Sequence, residues 1–542
     1  MDSPSLTKTI DHGLAWVATA TALVAVCDVV ALALILHLWL DATAFGVVSA
    51  VVTVFPALTL LAELGLPAAL IQGAEPDDTR LSTAFYLTVA AGLALYAAVV
   101  LLAPVVAAAQ GQPQMTRLFQ VGGLMLVIRP AYLMHRALLR RQLRFQELSV
   151  IRMIANLVEL VVKLGVAAAG HGLWCLVVAP LARELVYALA IPTRLRWRPR
   201  LLCAPRRCGA DLRFGLRTSS GEILFHVYSN LDYQIVSAYF GATALGLYRA
   251  AFELVIEPVR FVSEVVTVVA FPAFARLRHD RGAVTAQLVK FARHNVATVL
   301  PMVALIVVAA SELLTVIIGP AYAPAATAAR VLAVVGVLRA LSHLGPPLLD
   351  GLGRPELTLR YHVIAALVLG VAFVVAGQSG QSLGYLAVAL AWAAGYPLAF
   401  AALAFMVLGQ LDLPVAKLAR PLARIGALVL VAALVGGVVA ASLPETLGPL
   451  ARLGVLTVVV LGLCGALLIW AGELSPRALA GAIRRSPKSG PRAKKGRVRA
   501  QASPPAQRPS APRTPPSSAR APSPRTRSPA ARAPRRPARR RR

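Results

Sequence analysis

Apolar residues run along this chain in about fourteen long stretches, separated by short polar gaps. Each stretch is close to the roughly 20 residues that a helix needs to cross a hydrocarbon core. Backbone groups inside a bilayer must satisfy one another, so the stretches predict helices. The predicted spans are 14–38, 44–70, 81–107, 115–135, 150–169, 173–192, 215–239 and 245–270, then 293–318, 326–349, 361–377, 383–408, 425–442 and 453–471. The first follows Lys8, is long and has no small-residue cleavage site, which predicts an uncleaved first span rather than a removed signal peptide. Pro56, Pro130, Pro258 and Pro301 are expected to mark bends.

Charge sorts itself by the parity of the gaps. With the amino terminus on the cytoplasmic side, the inner gaps hold Arg80; Arg136, Arg140, Arg141 and Arg144; and the arginines from Arg194 to Arg217. Later inner gaps carry Arg276, Arg278, Arg281, Lys290 and Arg293, then Arg354 and Arg360, then Lys417, Arg420 and Arg424. The outer gaps offer only Arg117 and Arg452. Basic short loops stay on the cytoplasmic side, so both termini are expected inside a cell (inner or plasma) membrane, which requires an even number of spans. Outer gaps such as LDATA and AQGQPQ are short, which argues against a membrane glycosyltransferase or polymerase with a sizeable outer loop.

Composition agrees with this reading, at 58% hydrophobic and 15% charged residues and a mean hydropathy of +0.69. The net charge of +31 belongs largely to the end of the chain: from Arg484 onward there are 20 Lys and Arg and no acidic residue. This Pro-, Ser-, Ala- and Arg-rich segment cannot bury a core and is expected to be disordered. A polybasic segment just inside a last span reads as lying on anionic inner-leaflet lipid rather than on nucleic acid. Cys203 and Cys208 flank a basic turn, CAPRRC, without His or acidic partners nearby; reduced thiols, with no metal and no cofactor, are expected.

The segment DATAFG (41–46) returns as GATALG (241–246). Six predicted spans separate the copies, so both halves run in the same sense, a parallel repeat of the kind that transporters build around a shared binding region. Further stretches carry a family likeness: AFGVVSAVVTVFPALTLLAELGLPAALIQ (44–72), HRALLRRQLRFQELSVI (135–151), LRFGLRTSSGEILFHVYSNLDYQIVSAYFGATALGLYRAAFEL (212–254), FPAFARL (271–277) and GLGRPEL (351–357). Over roughly residues 10–410 the chain resembles the polysaccharide and oligosaccharide flippases of the MOP (multidrug/oligosaccharidyl-lipid/polysaccharide) exporter superfamily. The resemblance implies an all-α polytopic membrane protein with two parallel, pseudo-symmetric six-helix lobes around a central cavity and two helices appended. The expected organisation is a first lobe over 1–192, a basic linker over 193–214, a second lobe over 215–408, two added helices within 409–475 and a basic tail over 476–542. It also implies outward movement of a polyprenyl-pyrophosphate-linked oligosaccharide, beside a polymerase and glycosyltransferases, and no enzymatic activity.

Charges inside hydrocarbon are costly and normally face a cavity or each other. In the eighth span Arg249, Glu253, Glu257, Arg260 and Glu264 share one helical face. The seventh answers with Glu222, His226, Ser229 and Tyr233, with Asn230 and Asp232 close by. By depth, Asp232 and Arg249 are expected to be within pairing range. Arg129 in the fourth span, and Arg330 and Arg339 in the tenth, add positive charge; an arginine offers a bidentate fork to a pyrophosphate. The candidate cavity residues are therefore Arg249, Arg129, Arg260, Arg339, Asp232, Asn230, Glu253, Glu257 and His226. Neutralisation within one helix, Arg249 by Glu253 and Arg260 by Glu264, is the alternative, and Glu159 with Lys163 reads as such a pair. Asp28 and Asp232 are candidates for binding a coupling cation or proton. A peptidoglycan-precursor flippase, a drug or cation exporter of the same superfamily, and a non-transporting scaffold stand as alternatives.

Overall fold

A computed structural model describes residues 27–72, 76–202, 204, 208–411, 413–444 and 446–473. The start of the first predicted span, Cys203 and the basic tail lie outside the described residues.

The apolar stretches form helices: α1 (Cys27–Leu38), α2 (Ala42–Val52), α3 (Phe55–Glu63), α4 (Leu66–Gln72), α5 (Asp78–Ala109), α6 (Gln114–Gly122), α7 (Leu124–Ile128), α8 (Pro130–Arg141), α9 (Phe145–Ala168) and α10 (Gly172–Ala190). The second half of the chain forms α11 (Gly209–Leu277), α12 (Arg281–Leu313), α13 (Ala326–Ser342), α14 (Gly345–Gly351), α15 (Pro355–Ser379) and α16 (Leu386–Leu411). Two further helices follow, α17 (Val415–Ser442) and α18 (Pro449–Trp470). Among the described residues there is no strand.

Among the described residues nine helical segments are long and apolar enough to cross a membrane, or ten when the bent run from Gln114 to Arg141 counts as one span. The remaining predicted spans fall on α1, whose start is not described, and on α9 and α11, which carry buried charges. Apolar side chains one turn apart, Leu101 and Val105 on α5 and Leu367 and Val371 on α15, stand exposed on the outside of the bundle, as lipid-facing positions do.

Local chemistry sets the helix ends. Asp41, Asp77 and Asp280 cap α2, α5 and α12 by accepting hydrogen bonds from the backbone N–H groups of Ala44, Arg80 and Ala283. Pro355 and Pro449 stand in the first turns of α15 and α18, where a missing N–H costs nothing. Of the prolines expected to bend helices, Pro130 follows a 43° change of direction and Pro56 opens α3 after a break. Pro258 and Pro301 sit within α11 and α12, whose backbone leaves helical geometry at Gly241 and Ala309 instead.

α11 is the hub of the molecule, touching α2, α3 and α4 of the first half and α12 to α16 of the second. α17 and α18 attach through α12, where Val296, Ala304, Ile425, Val429 and Val460 form a separate apolar cluster.

Candidate substrate cavity

A cavity of about 350 Å³ lies within the helices of the first half of the chain, with a single lining residue, His226, from later in the sequence. Phe55 and Thr59 of α3, Arg129, Arg183 and Glu184 of α10, and His226 of α11 are among the residues that line it. Arg129 reaches it because it stands at the break before Pro130, where the helix direction turns by 43°.

The wall carrying Arg129 is an unbroken chain of opposite charges. Lys163 lies 3.7 Å from Asp28 and 3.3 Å from Glu159. Arg183 donates to Glu159 at 2.8 Å and lies 3.9 Å from Glu184. Arg129 lies 3.4 Å from Glu184 and donates its Nε–H to Glu63 at 2.7 Å, while Arg136 lies 3.6 Å from the same Glu63. The Tyr132 hydroxyl donates to the second oxygen of Glu184 at 2.6 Å. Four cations and four carboxylates thus balance within one low-dielectric wall, which is how a membrane interior tolerates charge. Arg129 spends Nε and Nη1 on these pairs, and a guanidinium carries five N–H donors, so the wall keeps donors for an anion entering the cavity.

Other expected residues form two separate groups. Arg249 pairs with Glu253 one turn along its own helix and lies 4.7 Å over the Tyr233 ring. Arg260 pairs with Glu257, and the side chain of Glu264, its expected partner, lies outside the described ones. The expected approach of Asp232 to Arg249 is absent. Asp232, 0% exposed, accepts instead from the Tyr248 hydroxyl at 2.7 Å, the Trp392 indole N–H at 2.9 Å and the backbone N–H of Tyr233 at 2.9 Å. The reason is local: Arg249 has a nearer carboxylate one turn away, and the buried Asp232 is satisfied by neutral donors.

Arg339, 9% exposed, is held against the faces of Trp392, Phe252 and Tyr396 at 4.7, 5.4 and 6.0 Å. Its Nη1 has no hydrogen-bond partner. Asn230 donates to the His226 carbonyl of its own helix at 2.8 Å, and Asp28 stands at the far end of the charge chain. Arg129 and His226 therefore meet at the cavity, whereas Arg249, Arg260, Arg339 and Asp232 lie among second-half contacts.

Sequence reasoning missed Glu63, Arg183 and Glu184. Adjacent opposite charges at 183 and 184 cancel in any count of net charge, yet both lie inside a predicted span, and depth alone would have singled them out.

A helical membrane bundle that encloses a charged cavity is in keeping with a transporter of the MOP superfamily. The lipid II flippase MurJ, solved in an inward closed conformation, has the same fold: TM-score 0.70 at 11% identity, covering 84% of this chain and 98% of MurJ. The family model described as polysaccharide biosynthesis protein matches residues 35–327, and the chain belongs to that family, within the MOP superfamily. It is 25% identical over 387 residues to the teichuronic acid biosynthesis protein TuaB of Bacillus subtilis, covering 70% of this chain and 79% of TuaB. It is 23% identical over 392 residues to the lipopolysaccharide biosynthesis protein WzxC of Escherichia coli, covering 70% of this chain and 77% of WzxC.

Proposed function

We propose that this protein moves a polyprenyl-pyrophosphate-linked oligosaccharide from the inner to the outer leaflet of the cell membrane by alternating access, for assembly of a surface polysaccharide. The observation that carries the reading is the charged cavity lined by Arg129, Arg183 and Glu184 of the first half of the chain, with His226 of α11 also in its lining. A pyrophosphate needs charge-assisted donors in a site screened from water, and arginine supplies them in a planar fork. The family's link to polysaccharide biosynthesis supports a sugar-bearing cargo. Two parallel lobes, 1–192 and 215–408, rock about the linker at 193–214, with fourteen spans in all and both termini cytoplasmic. Arg249 and Arg339 are held in reserve in this scheme, each freed as the second lobe rearranges.

Arg129→Ala tests the site. Losing one charge-assisted hydrogen bond of about 1.5–3 kcal/mol should cut transport roughly tenfold or more, with Arg129→Lys keeping part of it and both variants remaining folded in detergent. Full transport by folded Arg129→Ala would remove the cavity wall from the substrate path.

A further inference from the structure

Between α10 and α11 the chain crosses the end of the bundle as an extended segment with two different faces. Leu195 has φ −129° and ψ 145°, and successive side chains of an extended chain point to opposite sides. Leu195 and Trp197 pack onto apolar clusters around Tyr132 and Leu133. Arg194, Arg196, Arg198 and Arg200 alternate with them and are exposed.

Hydrogen bonds fix the height of this segment. The backbone N–H groups of Arg200 and Ala204 donate to the hydroxyls of Ser82 and Thr83, both at 3.0 Å. The His135 ring lies 3.2 Å from the Trp197 carbonyl, and Arg144 donates to the Arg194 carbonyl at 3.0 Å. Ser82 and Thr83 stand where the apolar run of α5 begins. The segment therefore lies at the level of the membrane surface, where tryptophan is also favoured.

Some of the arginines there are occupied by the protein and some are not. Arg198 donates to the carbonyls of Pro192, Leu195 and Trp197, and Arg200 pairs with Asp78 at 3.1 Å. The side chains of Arg194 and Arg196 have no protein partner among the described residues. The same holds for Arg213 and Arg217, one turn apart at the start of α11 and both exposed. That start is tied to the same end of α5 by the Arg80–Asp211 ion pair. Apolar side chains stand exposed beside these cations: Leu201, at 94%, with Leu202, Phe214 and Leu216.

Water would solvate the arginines and leave the apolar side chains uncovered. An acidic protein surface would answer the charge alone. The boundary between lipid phosphates and acyl chains takes both.

We propose that the 194–202 segment and the first two turns of α11 form a binding surface for anionic phospholipids of the adjoining leaflet. Arg194, Arg196, Arg213 and Arg217 hold headgroup phosphates, and Leu201 enters the acyl region. No cavity residue takes part, so the surface does not depend on the transport reading.

The test places a photo-crosslinking benzophenone side chain at position 201 of the full chain, in vesicles of phosphatidylcholine with phosphatidylglycerol as the minority lipid. Illumination should join residue 201 to lipid, with phosphatidylglycerol enriched at least about fivefold over its share of the vesicle, the effect of roughly one basic residue at an anionic surface. Arg194→Gln/Arg196→Gln/Arg213→Gln/Arg217→Gln should return the adducts to the vesicle ratio while melting at the parent temperature, since these side chains hold no protein partner. Arg539→Gln/Arg540→Gln/Arg541→Gln/Arg542→Gln, which removes the same charge from the tail, should leave the enrichment in place. Adducts at the vesicle ratio in the parent protein, enrichment that survives loss of the four surface arginines, or no lipid adduct at all would overturn the surface. Enrichment lost equally in the tail variant would trace it to net charge and overturn it as well.

Discussion

Glu159 and Glu184 each serve two cations, and they tie α9 and α10 into one charged wall. Removing one partner of a buried pair leaves the other charge uncompensated, at a cost of about 3–5 kcal/mol. Glu159→Gln should therefore lower the melting temperature of the purified protein markedly, because Lys163 and Arg183 lose a shared counter-ion at once; an unchanged melting curve would show the wall is not a structural network. Half of this was legible in the sequence. Glu159 and Lys163 stand four apart on one helix, so their pairing follows from helical geometry alone. Arg183 comes from the next helix, and no spacing rule reports which face it turns toward Glu159. The same limit explains Asp232: its depth was readable, but its donors Tyr248 and Trp392 lie 16 and 160 residues away in sequence.

At the scale of helices, hydropathy locates the apolar runs, and it fails where backbone rather than side chains decides. α3 ends because Leu64 and Gly65 both adopt positive φ, at 53° and 64°, a turn that nothing in an apolar stretch advertises. Gly65 also meets the backbone of Gly215 there. Gly111 has the same φ of 64° with nothing within 4 Å of a would-be Cβ, so the two glycines separate conformation from contact. Gly111→Ala should cost only the left-handed penalty of about 1–2 kcal/mol. Gly65→Ala should lose that and also force α4 and α11 apart, giving a larger drop in thermal stability. Equal drops would mean that the Gly65–Gly215 contact contributes nothing. The proline expectations divide along the same line: Pro130 opens a helix at a break, whereas Pro258 and Pro301 lie in helices whose backbone departs elsewhere, at Gly241 and Ala309.

For the molecule as a whole, the long apolar stretches carried the all-helical membrane architecture. α9 and α11, which fall outside the segments long and apolar enough to be marked as spans, carry buried charge, for a physical reason: a helix lined with charged side chains loses the hydropathy that would mark it as a span. The repeat proved more telling than its length promised, since its two copies touch through equivalent atoms. The cavity was less legible, because it is assembled from α2, α3, α6, α7, α10 and α11, and its walls depend on helix rotation that sequence spacing does not fix. Outward movement of a pyrophosphate-linked oligosaccharide through that cavity can be read directly in cells depleted of the protein. Lipid-linked oligosaccharide should accumulate on the inner leaflet and clear when the wild-type chain, but not Arg129→Ala, is restored; outward transfer that continues unchanged on depletion would contradict it.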